Sequence, residues 1–157
     1  MKSLILVIFL TVSYSLFSQE KTPKGINKII VKNELSERDN LKKVISVLRE
    51  NEYSISKIDS VSFQIETTPK KFRNWSYTYY FQFGVFDNKI RVSGRYNRNS
   101  SYQVSGIIFS DSGSNEIVTT KVGNSFHNII FEEMKSICLK IVDESQIQYE
   151  VSGKRPK

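Results

Sequence analysis

Two spacings organise the hydrophobic positions of this chain. From Trp75 to Val85 every second residue is aromatic or apolar (Trp75, Tyr77, Tyr79, Phe81, Phe83, Val85), the period of a strand with one buried face. Asp87 and Asn88 follow, residue types that tolerate the positive φ of a tight hairpin. A two-residue turn there sets Val85 opposite Ile90, Phe83 opposite Val92, Phe81 opposite Gly94 and Tyr79 opposite Tyr96. In this register the large apolar partners share one face, and a slip of one residue would scatter them. An aromatic stripe matched across a hairpin in this way predicts core rather than a recognition surface.

The second spacing is helical. Leu41, Val44, Ile45 and Leu48 fall three and four residues apart, on one helix face, behind a capping pair made by Ser36 and Asp39. Glu37 and Asp39 place negative charge at the favourable end of the helix dipole, and Asn51 suits a left-handed helix stop. Phe126, Ile130, Met134, Ile137 and Ile141 repeat the pattern behind Asn124 or Ser125 as cap. The shorter segments predict strands. These are "INKIIVK" from Ile26, two strands around Asp59 and Ser60, a strand through Tyr102, Val104 and Ile108 that joins the sheet, and "IQYEV" from Ile147. Val61, Phe63 and Ile65 give the second strand of the pair around Asp59 a dry face, and Pro69 closes it. "KKFRN" from Lys70 reads as a basic connection, and Asp111 to Asn124 as a polar loop with Ile117 and Val118 as its one sticky point.

Two helices with one apolar stripe each and a sheet with one apolar face predict an α+β domain. Its antiparallel sheet has about five to six strands and both helices on one face, in the order β-α-β(n)-α. Residues 26–151 form this single domain, after a polar lead-in at 19–25 and before a basic tail at 152–157. Residues 1–18 read as a secretory signal. Lys2 precedes the apolar run Leu4 to Leu10, Ser18 offers a small residue at the cut, and the run falls short of the roughly 20 residues of a membrane span. The expected destination is the periplasm or the extracellular medium.

Composition narrows the chemistry. Cys138 is the single cysteine of 157 residues, so no disulfide forms within the chain and packing must hold the fold. The formal net charge of +7 favours anionic partners, and export makes nucleic acid an unexpected one. His127 is the only histidine, and on a helix it stands roughly 16 Å from Cys138, too far for a thiolate–imidazole dyad. It reads as a part-buried histidine in the first turn, and Cys138 as a small core residue. Glu132-Glu133 and Asp143-Glu144 are adjacent on a helix and diverge, as solvated surface does. No calcium-loop, phosphate-loop or dinucleotide glycine spacing is present. The expectation is a non-enzymatic protein with no catalytic residues, metal or cofactor.

The face of the hairpin out of phase with its core stripe is richer. Tyr80 and Phe86 on one strand meet Lys89, Arg91 and Arg95 on the other, with Tyr80 opposite Arg95 and Phe86 opposite Lys89, within reach of cation–aromatic contact. These five residues form the candidate binding face, suited to an envelope protein or an anionic polymer. The alternative reading is a carrier for a small apolar ligand, held between sheet and helices by Tyr79, Tyr96, Tyr102 and Met134.

"GINKIIV" after the signal, "LRENEYSI" at the first helix end, "IETTP" closing a strand and "FEEMKSI" in the last helix carry a resemblance. From about Gly25 to Tyr149 the chain resembles an uncharacterised family of exported Gram-negative bacterial proteins, a domain of unknown function with a TBP-like fold. The resemblance implies that architecture and supplies no catalytic residue; a fold name does not import DNA binding.

Overall fold

The computed structural model describes residues 23–73, 77–98, 100–104, 107–111 and 113–151, with the backbone alone at 100–104 and 107–111. The signal segment, most of the lead-in, Trp75, Ser76 and the basic tail lie outside the described residues.

The hairpin is the spine of the fold. Strands β5 (Tyr77–Phe86) and β6 (Lys89–Arg98) pair in the register predicted from the stripe, Val85 with Ile90, Phe83 with Val92, Phe81 with Gly94 and Tyr79 with Tyr96. At the turn only Asn88 adopts positive φ, at 60°. Shorter strands extend the ladder on both sides. Along β6 lie β1 (Ile26–Lys32) and, end to end with it, β9 (Ser114–Glu116). Along β5 lie β3 (Gln64–Thr67) and β4 (Lys70–Lys71). β10 (Ile147–Val151) and β2 (Ile55–Asp59) form the outer edges, giving an open antiparallel sheet of eight strands.

Helix α1 (Glu37–Glu50) begins as its sequence dictates, the Ser36 hydroxyl accepting from the Asp39 amide. Helix α2 (Phe126–Ile141) begins the same way, with Ser125 accepting from Asn128. Both lie on the face that carries Phe81, Phe83, Val85, Ile90 and Val92. Against these they bury Val44, Val47 and Leu48 from α1 and Ile130, Phe131, Met134, Ile137 and Cys138 from α2. The α+β class and the placement of the helices are therefore as the periodicities require.

Several local expectations are corrected. The sheet is six strands across but counts eight rather than about five to six, because Lys70–Lys71 pairs with Tyr79–Thr78 and Ser114–Glu116 pairs with Asn97–Arg95, each off the end of a longer neighbour. Strands this short carry no readable period. The segment around Tyr102 does not join the sheet: β7 (Ser100–Val104) folds back on β8 (Ile107–Asp111) as a separate two-stranded ribbon. Val61 is 90% exposed in the turn after β2, and Phe63 takes positive φ there, so only Ile65 of that trio occupies the core. Asn51 closes α1 with φ of −105°, and Glu52 takes the left-handed conformation instead.

The polar 111–124 segment is more anchored than a loop. Ile117 is fully buried, and Thr119 exchanges backbone hydrogen bonds with Gly25 and Ile26 at 3.0 and 2.9 Å. Its hydroxyl also accepts from the Ile26 amide.

Candidate functional site

The sheet face away from the helices carries the five residues singled out by period. The 86–89 pairing sets Phe86 beside Lys89, whose ammonium lies 5.2 Å from the ring centroid, and the Arg91 guanidinium lies 5.7 Å from the same ring. Phe86, at the turn end of a central strand, is 36% exposed, and no helix covers this face among the described residues. Tyr80 and Arg95 are opposite one another, as the register requires, yet each is engaged elsewhere. The Arg95 Nε donates to Gln82 at 2.9 Å, and the Tyr80 hydroxyl is 2.9 Å from Ser114 Oγ in β9. The structure thus divides the candidate residues. Phe86, Lys89 and Arg91 form an open cluster at the turn end of the hairpin, while Tyr80 and Arg95 belong to a polar network at the other end.

That network also explains why the face is less basic than the hairpin alone suggests. Neighbouring strands bring acids to it. Glu150 in β10 takes Lys28 at 3.1 Å and Arg91 at 3.8 Å, Glu66 in β3 accepts from Gln82, and Glu116 in β9 accepts from Asn27. At the turn end the compensation stops. β1 places Lys32 directly opposite Lys89, on the same face, and neither lysine has an ion pair among the described residues. Asp87, two residues before Lys89, is occupied by the Glu37 amide at the start of α1. Ile30, opposite Arg91 on the strand beyond it, adds a half-buried apolar residue to the same face. Lys32 and Ile30 were legible as strand residues out of phase with Ile29 and Val31. Their partner strand was not, so their arrival beside Lys89 and Arg91 could not be read.

The interior holds one constellation that the sequence concealed. Glu133, in an adjacent pair that resembles solvated helix surface, accepts from the hydroxyl of Tyr79 at 2.9 Å and from that of Tyr53. Lys70 stands 4.0 Å from the same carboxylate and 3.5 Å from the Tyr53 ring centroid. Burial first, and then Glu133, hold both phenols well above the usual tyrosine range, so they remain donors at any physiological pH. The cluster ties the α1 end, β5 and α2 together, and Glu132 is the exposed member of the pair. Tyr79 and Met134, proposed lining for a small ligand, are buried in the core; Tyr96 is half-buried against Phe126 at 5.3 Å. Tyr102 lies on the separate ribbon.

His127 is half-buried at the start of α2, with the Tyr96 ring at 5.2 Å, and its Nδ1 accepts from the Val118 amide at 3.3 Å. Burial pushes its pKa below the ordinary value. Burial also pushes the Cys138 thiol up to about 12. Among the described residues no group of three or more histidine, cysteine or acidic side chains is placed to hold a metal ion, and no helix is long and apolar enough to cross a membrane. Compared with known families and with curated proteins, the chain matches no family model and no curated sequence.

Proposed function

We propose that this protein is a non-enzymatic, exported module of the cell envelope that docks a negatively charged partner on its open sheet face. The reading rests on the Lys32–Lys89 pair. Like charges directly opposite across a ladder destabilise it, by about 0.2–1 kcal/mol. Here Lys89 stands between Lys32 and an exposed Phe86, and neither lysine has an ion pair among the described residues. An incoming carboxylate or phosphate removes that repulsion, while Phe86 and Ile30 supply apolar area beside it. The resemblance to exported proteins of unknown function and the signal-like first residues support an envelope setting, periplasmic or secreted.

The decisive experiment separates binding from stability. Lys89→Gln should weaken retention on envelope fractions and make the remaining retention less sensitive to salt, yet raise the urea midpoint slightly, since a repulsion is gone. Lys89→Glu with Arg91→Glu should abolish retention. Arg95→Gln, at a residue already tied to Gln82, should change retention little. Unchanged retention in the double charge reversal would refute the reading.

A further inference from the structure

Strand β2 is an edge with a groove beside it. Among the described strands it pairs only with β3, so its other side presents unpaired backbone N–H and C=O groups. A groove of about 550 Å³ runs along it, bounded by Arg49 and Tyr53 from the end of α1 and by residues 54–58 of the strand. Proteins commonly protect such edges, and β2 carries two familiar devices. One is a bulge between Ile55 and Lys57, where the Ser56 hydroxyl turns inward to the Glu66 and Thr67 carbonyls. The other is Lys57 itself, facing out of the strand.

The two charged residues that line this groove are both basic. Arg49 and Lys57 line it and have no ion pair among the described residues. Three nearby acids are committed to other partners, while Glu52, in the turn between Arg49 and Tyr53, is exposed and does not line the groove. Asp59 caps its own turn through the Val61 and Ser62 amides, Glu50 accepts from Ser46, and Glu66 accepts from Gln82. Ile55 and Ile58, the latter 45% exposed, offer apolar contacts in the same strand. From this geometry we infer a second binding site, distinct from the open face: an extended acidic peptide segment of a partner protein adds to β2 as a further strand. Its backbone completes the ladder and its carboxylates meet Arg49 and Lys57. The lysine that repels indiscriminate strand pairing then becomes the selector for an acidic one. A second copy of this chain is the competing occupant, disfavoured in the register that would set Lys57 against Lys57.

The test uses the full chain, labelled with nitrogen-15, and a capped octapeptide alternating glutamate with valine. Saturable shifts should appear at the amides of Ile55 to Asp59. The affinity should fall about tenfold or more when glutamine replaces the glutamates, and likewise in Arg49→Glu with Lys57→Glu. A peptide N-methylated at alternate amides keeps its charge but cannot pair, and it should lose binding. Equal binding of the methylated peptide, shifts confined to Lys32, Lys89 and Arg91, or no saturable shift would each overturn the proposal. Concentration-dependent shifts of the β2 amides without peptide would overturn it too, assigning the edge to a second copy.

Discussion

His127 shows how one half-buried side chain ties pH to stability. Its Nδ1 accepts from Val118, which requires the unprotonated ring, and burial lowers its folded-state pKa below the unfolded value of 6.5. The unfolded chain therefore takes up the proton first as pH falls. The contribution is complete above about 6.5 and is lost as pH descends through the lower folded value. Part of the ring remains in water, which keeps the contribution small. Urea midpoints measured from pH 7 down to 5 should show this slope in the native protein, and His127→Gln should flatten it. An unchanged slope in the variant would place the titration elsewhere. The helix period placed His127 in the first turn, next to the apolar stripe, but not its bond to Val118, which depends on a segment nine residues earlier folding back. Glu133 is similar. It lies three residues after Ile130 and four before Ile137, on the flank of the stripe, so its inward turn was available in the spacing. The adjacent Glu132 disguised it, and its partners Tyr53 and Tyr79 come from parts of the chain that no local pattern connects to α2.

Between elements, the instructive contact is the one over Gly94. The hairpin register leaves Phe81 facing a residue without a side chain, which looks like a gap in the core face. Ile117 fills it: a Cβ added at Gly94 would lie 3.1 Å from the Ile117 Cδ1 and 3.3 Å from its Cβ. Gly94→Ala should cost about 1–3 kcal/mol through overpacking. Ile117→Ala in the same chain should recover part of that loss, so the pair should be non-additive in urea unfolding. Additive losses would mean that the two sites do not share the space. This division runs through the whole fold. The β5–β6 register and both helix starts were legible because each is decided within a few residues. β4 and β9 were not, since a two- or three-residue strand exists only by pairing with a longer one. The ribbon of β7 and β8 misled for a related reason. Its alternation was real, but its nearest partner in sequence won over the sheet. The binding face was legible in composition and became uneven only when β1, β3, β9 and β10 delivered their own charges to it.

For the molecule as a whole, one layer of helices over one sheet places Cys138 where it reports on global opening. It is fully buried in α2 and its thiol is pushed up to about 12 by that burial, so almost no thiolate is exposed at neutral pH. Labelling of Cys138 by a thiol reagent should proceed at the rate of whole-domain unfolding and quicken with urea in step with it. Fast labelling in native buffer would show that α2 detaches alone. The sheet order carries a further meaning. β1 is sandwiched between β6 and β10, and the Lys28–Glu150 bridge joins positions separated by 122 residues. A nascent chain can build its central hairpin early. Strand β1 nevertheless keeps one side open until β10 has emerged, and a pairing so distant in sequence is expected to close late in folding.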